Sequence, residues 1–245
     1  EETLGRTLLD RDSQNVKLTP DGEALLGYAR RMLKLNDETI GYFRKPAIEG
    51  TVSFGAPDDY GTRFLPNILC RFSTTHPAVD VEVVLDSSKS LMQRLDEGEL
   101  DLALVTVSPD LKLSGNSEVL HSEALVWMGL RGGVAWERDP LPLALSDSSC
   151  PWRVAALEAL NKAGKRSRIA YTSHAGAGQI AAIQADLAIA PFPESFAAPP
   201  FRKLGPEEGL PELGRYHIAM INRSDPGPAA AALASHVLES FRESA

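Results

Sequence analysis

Cysteine and long apolar runs are both scarce in this chain, and each absence excludes a class of protein. The 245 residues include two cysteines, too few for a disulfide framework or a structural zinc site. No run of about 18 apolar residues occurs, so we expect no segment that spans a membrane. The first residues, Glu1 to Arg6, lack the apolar core of a signal peptide. We therefore expect a soluble cytoplasmic protein with no metal and no other cofactor.

Positive charge is also in deficit. Lys and Arg number 25 against 33 Asp and Glu, which gives a formal net charge of −8. This balance excludes a protein that binds nucleic acid over its whole surface, although a small basic module on an acidic body stays open. Hydrophobic residues make up 43% and charged residues 24%, as in ordinary globular proteins. The length suits one large domain or two of ordinary size.

The N-terminal region predicts a small β-hairpin followed by a long helix. A polar turn precedes the short strand at residues 16–18, and Thr19 is a suitable N-cap with Pro20 in the first helical position. The helix is expected to reach about residue 43 with a heptad seam. The seam consists of Leu26, Ala29, Leu33, Asn36, Ile40 and Phe43. This face packs either on its own domain or on a second copy, and a polar residue in the seam favours the second copy because it fixes the register.

Beyond residue 50, strand and helix patterns alternate in two cycles, which predicts an α/β fold with two lobes. Strands are predicted at 51–55, 79–85, 102–107, 123–130, 143–145, 168–172, 187–190 and 216–221. Helices are predicted at 61–73, 90–97, 149–163, 176–185 and 229–242. The lobes would be joined by two crossing connections, near residues 123–130 and 213–221.

Short motifs along the whole chain resemble those of the LysR-type transcriptional regulators. They are Leu4-Gly5 with Leu8-Leu9 and Arg11, Val16 with Leu18-Thr19 and Gly22, Tyr28-Ala29-Arg30, and the runs at 50–55, 64–66, 76–77 and 98–104. The resemblance implies a two-lobed, periplasmic-binding-protein-like (type 2) effector domain, preceded by the remnant of a winged helix-turn-helix and a linker helix. Residues 145–153 resemble the branch of motility and virulence regulators typified by LrhA and HexA.

The same resemblance implies a division of the chain. Residues 1–19 correspond to the wing, 20–45 to the linker and dimerisation helix, 46–126 with 216–245 to lobe I, and 127–215 to lobe II. The family's DNA-reading helix would precede Glu1, so the chain is expected to begin inside the DNA-binding domain. Arg11 and Lys17 in the wing are candidates for contacts with DNA phosphates. The expected partners are DNA, a small polar effector, and further copies in a homodimer or homotetramer.

Ligands of open α/β sheets bind at the carboxyl ends of the strands, where helix N-termini present free N–H groups. Applied to the predicted strands, this rule and the resemblance give an effector site. Its candidates are Asp58, Asp59, Tyr60, Thr106, Ser108, Ser146, Ser149, Arg153, Ser173, His174 and Phe192. Asp58 and Asp59 also suit ordinary N-caps, and His174 an ordinary loop histidine. One departure from the family lies at 185–188, where a glycine-containing turn is usual.

Cys150 offers a different function. It stands at a predicted helix start one turn before Arg153, and both features lower the pKa of a thiol. A redox-sensing regulator acting through Cys150 is therefore an alternative, whereas Cys70 is expected to be buried and inert. A Cys150–His174 nucleophile pair would make a hydrolase, but no oxyanion motif or third group is readable, so we expect no enzyme. A stand-alone solute-binding receptor is the remaining alternative, disfavoured by the wing pattern and the N-terminus.

Overall fold

The computed structural model describes residues 1–12, 15–44, 48–111 and 115–243. At the N-terminus, β1 (Leu9–Asp12) and β2 (Asn15–Leu18) form an antiparallel hairpin, and α1 (Pro20–Arg44) follows. Thr19 is confirmed as the N-cap, because its Oγ1 accepts a hydrogen bond from the Gly22 N–H at 3.0 Å. Gly22 is buried against the hairpin, and a Cβ there would lie 2.1 Å from the Leu8 carbonyl oxygen. Only a residue without a side chain therefore fits at this contact.

The long helix α1 packs against a helix of the following domain, yet it leaves many large apolar side chains exposed. These are Leu25, Leu26, Tyr28, Met32, Leu33, Leu35 and Ile40. Such a face suits a further partner, and pairing with a second copy stays a prediction. The predicted contributions of the Arg11 and Phe43 side chains lie outside the described residues, as does the predicted boundary at 45 and 46.

The rest of the chain builds two groups of strands with helices packed against them. In the first part the elements are β3 (Gly50–Ala56), α2 (Asp58–Arg63), α3 (Leu65–Thr75), β4 (Val79–Leu85), α4 (Ser88–Asp96), β5 (Leu102–Val107) and β6 (Ser117–Leu130). In the second part they are β7 (Leu141–Leu145), α5 (Pro151–Lys162), β8 (Ser167–Thr172), α6 (Gly176–Gln184), β9 (Ala190–Pro193), β10 (Phe201–Leu204), β11 (Arg215–Asn222) and α7 (Pro228–Glu243).

The first strand group consists of β4, β3, β5, β11 and the first half of β6, in that order. Strands β4, β3 and β5 are parallel, and β11 is antiparallel to both β5 and β6. A core between this sheet and helices α3 and α7 includes Phe54, Ile68, Phe72 and Leu233. Helix α4 covers the opposite face of the sheet with Leu91 and Leu95.

The second strand group consists of the second half of β6 with β7, β8, β9 and β10. Strand β6 pairs with β11 up to Ala124 and with β9 and β10 from Leu125 onward, so one continuous strand belongs to both groups. Strand β7 is parallel to β8 and makes an isolated parallel bridge to Ile189. The crossing at β6 and the return through β11 place the carboxyl ends of both sets of parallel strands around one cleft. That the two groups act as separate lobes with the predicted boundaries stays a prediction.

Several element boundaries differ from the sequence-based expectation. The helix predicted from residue 61 begins at Asp58 and breaks at Phe64, so the two aspartates lie in a helical turn and not in a loop. The strand predicted at 187–190 overlaps the observed β9 (Ala190–Pro193) only at Ala190, and β9 includes the two prolines Pro191 and Pro193. Strand β10 was missed in the proline-rich region. Proline has no backbone N–H to donate to a neighbouring strand. A proline-rich sequence therefore does not indicate a β-strand.

The turn that lacks the usual glycine is formed by Asp186, which adopts a φ of 51°. Aspartate is among the residues that enter this left-handed region at modest cost. Its carboxylate also accepts hydrogen bonds from the N–H groups of Val134 (2.9 Å) and Ala135 (3.0 Å). The aspartate therefore supplies both the turn conformation and an anchor for the neighbouring segment.

Candidate ligand-binding cleft

A cavity of about 260 Å³ lies between the two strand groups. The first group contributes the N-terminal turn of α2, the loop between β4 and α4, and the end of β5. The second group contributes the loops before α5 and α6 and the end of β9. Metabolite-binding cavities of proteins are commonly formed where such strand ends meet.

The structure brings most of the predicted effector-site residues together around this cavity. Those in its lining are Asp58, Asp59, Thr106, Ser146, Ser149, His174 and Phe192, together with Cys150. Four predicted residues lie outside the lining, namely Tyr60, Ser108, Arg153 and Ser173. Their role as effector contacts therefore has no support from the geometry.

Three of these four residues make structural hydrogen bonds next to the cavity. Tyr60 is 1% exposed and its hydroxyl lies 2.6 Å from Thr106 Oγ1, and burial raises the pKa of the phenol well above its usual value. Arg153 donates to the Ser146 carbonyl oxygen at 2.8 Å, and Ser173 Oγ donates to the Ala175 carbonyl oxygen at 2.8 Å. Ser108 is exposed beyond the end of β5. All four shape or border the cleft loops.

Several residues of the cavity lining are absent from the predicted list. The loop of Asp86 and Ser87 lines the cavity, together with Ser88 and Lys89 in the first turn of α4. Trp152 and Gln179 line it from the second strand group. A signal for the loop was present, because this polar run directly follows β4, a parallel strand that ends at the same edge of the sheet. Trp152 lies in the first turn of α5 and packs edge-to-face on Tyr216, with ring centroids 5.3 Å apart. Trp152 is absent from the predicted list because an aromatic residue in a helix is usually core.

Asp58 connects the two sides of the cleft directly. Its Oδ2 accepts a hydrogen bond of 2.8 Å from the N–H of Gly176, the first residue of α6. The prediction that Asp58 and Asp59 cap their own helix is wrong, because Pro57 occupies that position and no side chain caps α2. Asp58 instead caps a helix of the opposite strand group, where a carboxylate is favoured by the helix dipole.

Asp147 is held by its own loop. It accepts hydrogen bonds from the Ser149 N–H at 2.7 Å and from Ser146 Oγ at 3.3 Å, and His174 Nδ1 lies 3.4 Å away. Burial raises the pKa of this carboxyl, but the hydrogen bonds from Ser149 and the nearby His174 outweigh it, and the pKa lies below its usual value. The loop before α5 thus carries a stable negative charge.

Asp59 has the opposite environment. Its Oδ2 is buried and has no hydrogen-bond partner among the described residues. Burial, and then the neighbouring charge of Asp58, raise its pKa to about 7. The backbone N–H groups of Asp59 and Tyr60 and the charge of Arg63 oppose that shift only in part. The indole Nε1 of Trp152, also in the lining, is a second buried polar atom that lacks a partner in the described part of the chain.

The expected activation of Cys150 is wrong. Burial raises the pKa of its thiol above the ordinary value of 9.0, and the nearby N–H groups of Arg153 and Trp152 do not compensate. A thiol with a raised pKa is a poor redox sensor. The expectation for Cys70 is also wrong, because this residue is exposed. Across the described ranges, no cluster of His, Cys, Asp and Glu is arranged to hold a metal ion, and no helix is long and apolar enough to cross a membrane.

Glu123 forms a second carboxylate centre where β6 passes between the strand groups. Its carboxylate accepts hydrogen bonds from Arg63 Nη1 (2.9 Å), the Ser195 N–H (2.7 Å) and the Tyr216 hydroxyl (3.2 Å). Burial raises its pKa, but the hydrogen bonds from Ser195 and Arg63 dominate, so the pKa lies below 4.5. Arg63 and Tyr216 belong to the first strand group, and Ser195 follows β9 of the second. Glu123 therefore ties the groups together at their crossing.

Two strand groups around a shared cleft define the class of the protein: a two-lobed, periplasmic-binding-protein-like effector domain of type 2. Residues 46–242 match the family model of the LysR substrate binding domain. The chain therefore belongs to the LysR family of transcriptional regulators.

Two curated relatives agree with this assignment, and one solved structure shares the fold. The HTH-type transcriptional regulator DgdR of Burkholderia cepacia is 34% identical over 97% of this chain and 80% of its own length. PecT of Dickeya dadantii, also an HTH-type transcriptional regulator, is 31% identical over 89% of this chain and 69% of its own length. The effector binding domain of QuiR in complex with shikimate shares the fold, with a TM-score of 0.62 at 15% identity over 80% of this chain and 99% of that one. The finer placement near LrhA and HexA stays a prediction.

Proposed function

We propose that this chain senses a small molecule in the cleft between its strand groups and that binding changes the geometry of a DNA-bound oligomer. The observation that carries the proposal is the cavity itself, whose lining comes from both groups and includes buried polar atoms that have no partner among the described residues. A ligand can shift such a molecule only if it binds one arrangement better than another. A cleft lined by both strand groups provides such a difference in affinity, because a change in the separation of the two groups alters the ligand's contacts.

The output would pass through α1 and the β1–β2 hairpin. Helix α1 carries an exposed apolar face suited to a second copy, with Leu26, Leu33 and Ile40 on it. Lys17 on the hairpin is exposed and available to DNA phosphates. DgdR and PecT are both named as HTH-type transcriptional regulators, which supports DNA as the partner. A dimer, or a tetramer built from it, would then space the DNA-binding heads and set the DNA bend.

The alternative functions have less support. DgdR aligns with 97% of this chain, hence with the hairpin and α1 as well as the effector domain, which argues against a stand-alone solute receptor. The raised pKa of Cys150 removes the reason for a redox sensor. Both relatives are regulators and not enzymes by name, so we propose no catalytic activity and a place in the cytoplasm with the DNA.

The proposal is tested by a thermal-shift screen of this chain against small metabolites. A ligand at 100 times its dissociation constant adds about 2.7 kcal/mol of apparent stability, a shift of several degrees. The cavity-filling variant Ser146→Tyr should abolish the shift. The matched variant Ser235→Tyr, on an exposed position of α7, should retain it. Circular dichroism of both variants checks folding, and a shift that persists in Ser146→Tyr would place the ligand elsewhere.

A further inference from the structure

Acidic side chains outnumber basic ones in the lining of the cavity. Its lining contains four aspartates, Asp58, Asp59, Asp86 and Asp147, against one lysine, Lys89. A cluster of like charges around a cavity disfavours an anionic ligand and attracts a cationic one. The lining therefore favours a positively charged ligand over a negatively charged one.

At three places around the cavity, protein oxygens already accept hydrogen bonds from backbone N–H groups. Asp58 accepts from the first N–H of α6, and Asp147 accepts from the N–H of Ser149 just before α5. Ser87 caps α4 through a hydrogen bond from the Ser90 N–H. These particular donors are thus engaged, although such N–H groups often bind a ligand carboxylate, whereas no side chain caps α2 or α5.

One carboxylate oxygen among these four aspartates is buried without a partner in the described part of the chain. Asp58 and Asp147 have the contacts just given, and Asp86 accepts from the Ser87 N–H at 2.7 Å and from Ser90 Oγ at 2.6 Å. The Oδ2 atom of Asp59 alone has no partner in the described part of the chain. A buried unpaired carboxylate oxygen costs free energy unless a donor satisfies it. A protonated amine supplies donors and the opposite charge together.

The rest of the lining complements such a ligand. Trp152 and Phe192 line the cavity with ring centroids 6.0 Å apart, and aromatic faces attract ammonium groups as well as apolar carbon. The Trp152 Nε1–H has no acceptor in the described structure, and Lys89 is an exposed cation at the rim. Both can donate to an acceptor carried by the same ligand.

We propose that the effector is a small primary ammonium compound, whose amine binds the Asp59 carboxylate beside the rings of Trp152 and Phe192. This inference rests on the proposed function of the cleft and adds the chemical class of its ligand. The amine comes from a simple amine or from an amino acid, whose carboxylate would then bind Lys89 and the Trp152 indole N–H.

The proton on Asp59 gives the proposal a second readout. An ammonium ion needs the ionised carboxylate, and the free carboxyl has a pKa of about 7. Affinity should therefore rise roughly tenfold per pH unit below that value and level off above it. The ionisable groups facing Asp59 are Asp58, Tyr60 and Arg63 from α2, Cys150 from the start of α5, and Tyr216 from β11. Asp147, His174 and Lys89 lie elsewhere in the lining.

Four compounds that carry different polar groups on the same linear four-carbon chain separate the possibilities: norvaline, butylamine, pentanoate and 1-butanol. Binding to the wild-type chain would be measured by NMR titration between pH 5.5 and 8. The proposal expects butylamine or norvaline to bind, more tightly at higher pH, and pentanoate and 1-butanol to bind at least tenfold more weakly. Norvaline binding tenfold more tightly than butylamine, with the difference lost in Lys89→Met, identifies an amino acid as the class.

Asp59→Asn should lower the affinity for the amine at least tenfold and remove its pH dependence. Asp86→Asn, which removes the same charge from a partnered carboxylate in the same lining, should lower it about threefold at most. Histidines also change charge near neutral pH, so His174→Gln provides a second comparison. A pH slope that survives in Asp59→Asn but disappears in His174→Gln would overturn the proposal.

Failure of this proposal is distinguishable from failure of the proposed function. Tightest binding by pentanoate, strengthening at low pH, or no binding by any of the four compounds would overturn the ammonium class. If the metabolite screen still gives a ligand whose shift is lost in Ser146→Tyr, the cleft remains the effector site. Absence of any such ligand would contradict both proposals.

Discussion

Two carboxylates near the cleft, Asp59 and Glu123, have opposite surroundings. Glu123 accepts three hydrogen bonds from both strand groups, and its pKa is lowered. Asp59 lies against a cavity with an unpartnered Oδ2, and its pKa is raised. Burial alone therefore does not give a carboxylate a structural role. Glu123 stabilises the fold, whereas Asp59 destabilises the free protein and provides an unmet contact for a ligand.

The largest effect is expected for Asp59→Asn, which should stabilise the free protein at neutral pH. A carboxyl pKa raised from 3.8 to about 7 corresponds to at most about 4 kcal/mol in the free energy of unfolding. Removing the charge removes that cost. Urea unfolding at pH 7.5 measures it, and a variant less stable than the wild type would contradict the account.

Glu123→Gln should act in the opposite direction. It removes the charge that binds Arg63 and weakens the acceptor for Ser195, at a cost of about 2 kcal/mol. Since the pKa of Glu123 is lowered, its contribution is present above 4.5 and is lost as the pH falls below that value. Urea unfolding at pH 7 and pH 4 should therefore show a large difference between variant and wild type at pH 7 and a smaller one at pH 4. Equal differences at the two pH values would be inconsistent with this role.

The stability of the wild-type protein should also depend on pH through Asp59. The pKa of Asp59 is raised in the folded state, so its contribution to stability is full below about 3.8 and is lost as the pH rises through about 7. Asp59→Asn should flatten this decline between pH 5 and pH 7. Thermal unfolding in a pH series measures the slope, and an unchanged slope in the variant would assign it to another group.

The smallest effect is expected for Asp58→Ala. The substitution removes one charged hydrogen bond, from the Gly176 N–H, that joins the strand groups. The free energy of unfolding should fall by about 1 kcal/mol. Hydrogen exchange at the N-terminus of α6 should increase, while exchange in β3 should not. Protection that is unchanged in α6 would show that this contact does not hold the cleft together.

Sequence patterns predicted the alternating fold and much of the cleft because both follow from the period of apolar residues and from the position of strand ends. Asp58, Asp59, Ser146 and His174 were found in this way. The patterns could not predict that Asp58 would cap a helix more than a hundred residues away, since capping rules are local. They likewise misjudged Cys150, because its burial comes from tertiary packing while its helix start and Arg153 are visible in the sequence.

The contrast between Asp59 and Glu123 is tested most directly by an NMR titration of both side-chain carboxyls in the wild-type chain. The titration is done on the free protein and on the protein saturated with butylamine. The account predicts a pKa of about 7 for Asp59 in the free protein, a fall on binding, and a Glu123 pKa that stays below 4.5 in both states. An Asp59 carboxyl that titrates near 3.8 in the free protein, with no change on binding, would contradict it.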